Sequence, residues 1–453
     1  MKTLFQNVHT LVTCDDGDRV LHGADVLLDG PRITYIGSAD AGMAAGADET
    51  VDASGLLLYP GLVNTHHHLY QYFTRNLPGV QGLELFDWLT ALYGIWARIT
   101  CDTVRLSSLC GMAELMKYGC TTCFDHHYVF PAGAGDLIAA QFAAADTLGV
   151  RMHASRGSMS LSKKDGGLPP DSVVQTVDEI LCDSERLIRT WHDASDYAMH
   201  RMVLAPCSPF SVTGELMRES AALARRYGVR LHTHLCETKD EERFTLEAFG
   251  MRPLDYMESV DFIGPDVFYA HGIHFNDGEL KRLAETKTGV AHCPCSNMKL
   301  SSGVMRLPDM LRLGVPVGLA VDGSASNDCS NLMDEMRVSY LLHRLTYGDA
   351  APTGYELLKL ATRGGARLLG RDDIGCLAVG KAADLFAIRA DRMELVCADE
   401  DVKNLFGTVG YHLPADLVYI NGKKTVENGR VLTVDEDALA ARARAEVKRL
   451  LAC

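Results

Sequence analysis

The sequence predicts an α/β protein: a (β/α)8 barrel of the TIM type, with a small composite β-sandwich built from both termini. Three observations predict it. Between residues 61 and 370, short apolar runs alternate with helical patterns, as repeated βα units do. Eight such runs can be counted, and 453 residues suffice for a barrel of that size plus a smaller partner. The residues capable of chemistry fall at the C-terminal ends of the runs, where barrels of this kind place their active sites.

The first sixty residues alternate strand-like runs with turn signals. Residues 24–28 and 32–37 flank Asp29-Gly30, a hairpin signal. The apolar run 56–63 reads as the first barrel strand. Runs at 121–125, 150–154, 202–205, 229–234, 267–271, 289–292 and 317–322 follow, with helices expected over 136–148 and 214–227. Beyond the barrel, 383–388 and 416–420 read as strands, Asn421-Gly422 as a turn, and 426–432 continues the pattern. The expected division is 1–60 for the N-terminal part of the sandwich, 61–370 for the barrel and 371–435 for the C-terminal part of the sandwich. Residues 436–453, rich in Ala, Arg and Leu, are expected to form a C-terminal helix.

Composition bounds the partners. The apolar fraction of 47% and charged fraction of 23% are ordinary for a soluble globular protein. A formal net charge of −15 argues against nucleic acid, whose phosphates need a basic face. No apolar run is long enough to span a bilayer, and residues 1–7 lack a leader-like apolar stretch. The 14 cysteines are too dilute for a disulfide scaffold, so reduced thiols and a cytoplasmic location are expected. Cys120-x-x-Cys123 has no second pair to complete a structural zinc site.

His66 and His68 stand one residue apart after the run 56–63. On an extended chain, residues i and i+2 share a face, which makes this pair a ready chelate for a transition metal, while His67 points away. Strand five supplies His234 and strand eight supplies Asp322. Three imidazoles and a carboxylate suit a borderline ion, Zn²⁺ or Fe²⁺. Glu237, three residues after His234, is placed to shuttle a proton between water and substrate; His271, ending strand six, is placed to work with Asp322 on the attacking water. Structural readings stand beside these. Asp322 before Gly323 fits a turn or helix cap, and Glu237 fits a first-turn acid. His274 reads as structural, and His232, sharing a face with His234, is a rival ligand.

Taken together, the phrases Pro60-Gly61-Leu62-Val63-Asn64-Thr65-His66-His67-His68, Gly119-Cys120-Thr121-Thr122 and His232-Thr233-His234-Leu235-Cys236-Glu237 resemble the amidohydrolase superfamily. So do Ala270-His271-Gly272, His292-Cys293-Pro294-Cys295-Ser296-Asn297, Val321-Asp322-Gly323 and Gly380-Lys381-Ala382-Ala383-Asp384-Leu385. The resemblance covers nearly the whole chain. Binuclear members carry a bridging lysine at the end of strand four; here that stretch is Leu204-Ala205-Pro206-Cys207-Ser208-Pro209, which resembles the mononuclear deaminase branch. The resemblance implies one Zn²⁺ per chain on His66, His68, His234 and Asp322, with Glu237, His271 and Asp322 in the catalytic roles. It also implies a small heterocyclic substrate and a homo-oligomer.

Within the branch, residues 156–167 and 322–328 look like the 8-oxoguanine deaminase group, and His68-Leu69-Tyr70-Gln71 matches the His-x-x-Gln of guanine deaminases. The expected reaction is therefore hydrolytic deamination of a purine-like heterocycle, 8-oxoguanine to urate and ammonia. Hydroxyatrazine, aminotriazines and other purines (guanine, isoguanine) remain alternatives, as does, more distantly, a non-catalytic scaffold. Gln71, Arg156, Trp88 and Cys207 are the candidate substrate contacts. Gln71 offers a donor and an acceptor, and Arg156 a fork of donors. Trp88, with Trp96, Tyr70 and Phe73, is available for stacking, although each aromatic also reads as core filler. Cys207 stands near where guanine deaminases carry an arginine.

Overall fold

The structure, a computed structural model, describes residues 1–38 and 41–452. Its centre is an eight-stranded parallel sheet whose strands neighbour one another in chain order. We label them β1 (Leu62–Asn64), β2 (Cys120–Asp125), β3 (Arg151–Ser158), β4 (His200–Pro206), β5 (Arg230–Leu235), β6 (Val267–His271), β7 (Gly289–His292) and β8 (Val317–Leu319). The sheet curls nearly closed. At the seam the Thr65 hydroxyl donates to the Leu319 carbonyl at 2.9 Å, and Thr65 N reaches the same oxygen at 3.4 Å.

The barrel interior is packed, as such barrels are. Val63, Phe124, Val203, Phe268, Ala291 and Ala320 form one buried cluster with Ala366, Leu368 and Leu369. The last three belong to a segment that plugs the barrel floor. Gly365 is required there: a Cβ on it would stand 2.7 Å from the carbonyl oxygen of Val63. A floor sealed in this way leaves the opposite mouth, at the C-terminal strand ends, as the place for a site.

The apolar run 56–63 proves to be two strands in two sheets. Leu56–Pro60 pairs with Leu385–Arg389 in a seven-stranded sheet, and only β1 enters the barrel. Gly61 is the joint; any side chain there would collide with Thr121. The seven-stranded sheet also contains Thr10–Val12, Leu417–Ile420 and Lys423–Glu427, so both ends of the chain build it. A four-stranded sheet, all from the first 52 residues, packs on it through Phe5, Val26, Leu28, Ile33, Leu58, Leu385 and Tyr419. The Asp29-Gly30 hairpin forms, with Gly30 at φ 55°. The helices over Leu137–Leu148 and Gly214–Tyr227 form as the pattern indicates, and Glu436–Leu451 forms a terminal helix capped by Asp435. The eighth run is shorter than expected, because β8 ends at Leu319 and Asp322 lies beyond it.

All thirteen described cysteines are free thiols, and no described helix is long and apolar enough to cross a membrane. Arg151 ties barrel to sandwich. It is fully buried, pairs with Asp384, and donates to Asn421 Oδ1 at 2.7 Å and to the Ala198 carbonyl at 3.1 Å. A buried pair is costly to break because the surviving charge is left without a partner. Asp384→Ala should therefore lower the unfolding free energy by roughly 3–5 kcal/mol, read as a shift of the urea midpoint. A shift within the error of the wild-type midpoint would contradict this.

Candidate active site

His66 and His68 lie just past β1, not within it, since strand pairing stops at Asn64. Asn64 makes the site possible. Its amide nitrogen donates to the His66 carbonyl at 3.1 Å, and its amide oxygen accepts from Val321 N at 3.0 Å. Asp322 N donates to the same His66 carbonyl at 3.0 Å. The clamp draws the ends of β1 and β8 together, and with them His66 and Asp322. Asp322 itself takes φ 65°, a left-handed turn stabilised by Gly323 N donating to Oδ1 at 2.6 Å. Past β5, Glu241, in the helix Lys239–Phe249, holds the turn after His234. Its carboxyl oxygens accept from Cys236 N at 2.9 Å and Glu237 N at 3.0 Å.

The imidazoles converge. His66 Nε2 lies 3.3 Å from Asp322 Oδ1, His68 Nε2 lies 3.4 Å from the same oxygen, and His68 Nε2 lies 3.1 Å from His234 Nε2. Burial holds all three histidines, and His232 behind them, below the ordinary histidine range, so each carries one proton. His68 Nδ1 donates to the His126 carbonyl and His234 Nδ1 to the Cys207 carbonyl, each at 2.7 Å. Their Nε2 atoms are therefore bare lone pairs that face each other. His66 Nε2 is buried with no hydrogen-bond partner. Lone pairs and a carboxylate in mutual contact repel unless a cation lies between them. Ligands at about 2.1 Å around a tetrahedral ion stand roughly 3.4 Å apart, close to these three distances of 3.1–3.4 Å. The donors thus fit a divalent metal.

One neighbour escaped the sequence reading. His126, just past β2, has its potential ligand atom within 4.8 Å of those of His66, His68 and His234. Its Nε2 donates to the Ala205 carbonyl at 2.8 Å, leaving a buried Nδ1 without a partner. A histidine pair at a strand end, Asp125-His126-His127, was the signal available. A second group of potential ligand atoms joins His66, His271 and Asp322.

Glu237 and His271 stand on the other side of Asp322. His271 Nε2 lies 3.5 Å from Glu237 Oε2 and 4.0 Å from Asp322 Oδ2. Its Nδ1 faces Asn297 Oδ1 at 2.9 Å, and Ser302 donates to Glu237 Oε1 at 3.3 Å. Burial raises the Glu237 carboxyl above the ordinary range. His271 is raised too; burial opposes this, and the carboxylates of Glu237 and Asp322 outweigh it.

These groups open on a small pocket at the barrel mouth. Gln71, Trp88 and Cys207 line it, with Leu85, Leu89, Tyr128, Phe210, Leu300 and Ser326. Arg156 does not. Its guanidinium is turned away from the mouth, ion-paired with Asp183, bonded to Gln175 and Gly157, and stacked 3.8 Å over Phe130. Residue alternation at the end of β3 sends this side chain outward, and its donors are spent on the scaffold. Tyr70 and Trp96 are core, packed edge-to-face at 5.4 Å, and Phe73 is buried beside them in the same core. His67 faces Ser330, His274 donates to the Ser302 carbonyl, and His232 lies behind His66, outside the ligand groups.

The amidohydrolase family model matches residues 57–431. The 8-oxoguanine deaminase of Pseudomonas aeruginosa is 46% identical over 451 residues, covering 100% of this chain and 99% of that protein. The hydroxydechloroatrazine ethylaminohydrolase of Pseudomonas sp. (strain ADP) is 42% identical, covering 99% and 96%. Among solved structures, the atrazine chlorohydrolase of Arthrobacter aurescens TC1 complexed with zinc superimposes with a TM-score of 0.94 at 32% identity, covering 98% of this chain and 100% of that one.

The converging lone pairs predict metal-linked stability. With free metal at a thousand times its dissociation constant, the folded state should gain about 4 kcal/mol, and chelation should lower the thermal midpoint accordingly. His234→Ala should abolish most of that difference. Scanning calorimetry of loaded and stripped protein decides; identical midpoints would refute the metal assignment.

Proposed function

The chain belongs to the amidohydrolase family, and from that premise we propose that it is a zinc-dependent hydrolytic deaminase of purine-like heterocycles. Its proposed substrate is 8-oxoguanine, converted with water to urate and ammonia. The observation that carries the substrate reading is Gln71. Its amide oxygen and nitrogen are both buried without a partner, and the side chain lines the same pocket as His68, Glu237 and Asp322. One donor and one acceptor on a rigid amide match the adjacent N–H and C=O of an oxopurine edge. The full-length likeness to an 8-oxoguanine deaminase supports the same choice.

His66, His68, His234 and Asp322 would hold the ion; three nitrogens and one oxygen suit zinc. When bound, it supplies the Lewis acidity that brings the pKa of water near 7. The remaining work falls to side chains. Asp322 and His271 take the proton from the attacking water, and Glu237, kept protonatable by burial, delivers a proton to the ring nitrogen beside the amine-bearing carbon. Water's oxygen replaces the amine on that carbon: the amine leaves as ammonia with the proton that Asp322 and His271 took from water, the ring nitrogen keeps the proton from Glu237, and the remaining hydroxyl proton returns to Glu237 as the carbonyl forms. Trp88, Leu85, Leu89 and Phe210 supply flat apolar walls that exclude bulk water from the reaction.

A second reading follows from the same walls. Leu85, Leu89, Phe210 and Leu300 would also accept the N-alkyl groups of a hydroxytriazine, and a relative at 42% identity is named for that chemistry. A substrate panel separates the two: ammonia from 8-oxoguanine supports the first reading, and alkylamine released from a hydroxytriazine with none from 8-oxoguanine overturns it.

Two variants test the roles. Glu237→Gln should keep its metal and lose about 10²–10⁴-fold in kcat; near-normal turnover would remove Glu237 from proton delivery. Gln71→Leu should cost about 1–3 kcal/mol in kcat/KM for 8-oxoguanine. Gly323→Ala should act in the same direction, because its Cβ would stand 2.0 Å from Gln71 Oε1. Unchanged steady-state constants in both would dismiss Gln71 as a substrate contact.

A further inference from the structure

His68 and His234 each end on a backbone carbonyl, a group that only accepts, so their tautomers are fixed directly. His66 differs. Its Nδ1 lies 2.9 Å from Nε2 of His232, and an imidazole nitrogen can donate or accept. The decision is made one step further back. His232 Nδ1 lies 2.9 Å from the carbonyl oxygen of Phe268, the residue opposite it in the β5–β6 ladder. We propose that His232 is a positioning residue that sets the tautomer of His66 and thereby the site's affinity for its metal. The proposal rests on the reading of His66, His68, His234 and Asp322 as a metal site.

The chain of donors runs one way. A carbonyl accepts only, so the His232 proton sits on Nδ1 and its Nε2 is a lone pair. His66 Nδ1 must then donate to that lone pair, and His66 Nε2 is left bare toward Asp322. Reversing the relay would press the His232 lone pair against the Phe268 carbonyl and turn an N–H of His66 into the ligand cluster. Packing removes other escapes. The His232 ring is fully buried, 4.3 Å from the Phe268 ring and 4.9 Å from that of Phe124. The strand-six backbone therefore reaches the metal site through two imidazoles in series. Outer partners of metal-bound histidines fix ring orientation and basicity in this manner.

The test is zinc affinity by competition with a chromophoric chelator, on wild type, His232→Phe and His232→Gln, with the melting of each metal-free chain as a check on folding. Phenylalanine keeps the ring packing and removes the acceptor; glutamine restores an acceptor oxygen. His232→Phe should bind zinc about 10–100-fold more weakly, and His232→Gln should recover most of the loss. His232→Phe binding as tightly as wild type, or glutamine failing to recover more than phenylalanine, would overturn the proposal. Wild type that takes up no zinc would overturn the metal reading, and the proposal with it. Should His232→Phe fail to fold, the imidazole ¹⁵N spectrum of the unmutated metal-free chain decides. A proton on His232 Nδ1 supports the relay, and one on Nε2 overturns it.

Discussion

Lone pairs aimed at one another organise this molecule. Three neutral imidazoles converge: the His66 and His68 nitrogens stand 3.3 and 3.4 Å from Asp322 Oδ1, and His68 Nε2 stands 3.1 Å from that of His234. Such a cluster costs free energy in an empty protein and gains it around a cation. The fold maintains it by spending every outward-facing nitrogen on an acceptor: two carbonyls and one imidazole. The polarity of the whole site follows from where those acceptors sit on neighbouring strands.

The turns beyond the strand ends are braced by buried acids that take no part in the cluster. Asp125 accepts from Leu69 N at 2.5 Å and Gln141 Nε2 at 2.6 Å; burial pushes its pKa up to about 7. Glu241 holds the amides of Cys236 and Glu237, and burial pushes it up to about 8. Glu335 reaches Cys295 N at 3.1 Å and Asn327 at 3.3 Å, again raised by burial to about 8. Each acid replaces a missing backbone partner where the chain leaves regular structure, which a loop buried at the mouth of a barrel requires. Positive φ at Cys236, His271 and Asp322 is the companion cost.

Much of the cluster was legible because potential metal ligands obey spacing rules that survive without coordinates. His-x-His on extended chain, a histidine at one strand end and an aspartate at another required only strand periodicity to be read together. Gln71 and Trp88 follow the first strand closely, and both line the pocket. Arg156 misled because its position at the end of β3 was clear while the direction of its side chain was not. His126 was missed although Asp125-His126-His127 marks the end of the second strand, because that pair also fits two core histidines. Asn64 was passed over for a related reason: its importance lies in the seam between the first and last strands, about 257 residues apart.

The alternation of short apolar runs with helical patterns fixed the barrel, since period and length constrain secondary structure locally. The ligand types followed from side-chain chemistry alone. Which run belongs to which sheet was decided by tertiary structure, which split residues 56–63 at Gly61 because a side chain there would collide with β2. Tertiary structure also turned His232 from a rival ligand into the partner of His66. Strand register, a relation between distant segments, sets which carbonyl faces which imidazole, and no local pattern in the chain encodes it.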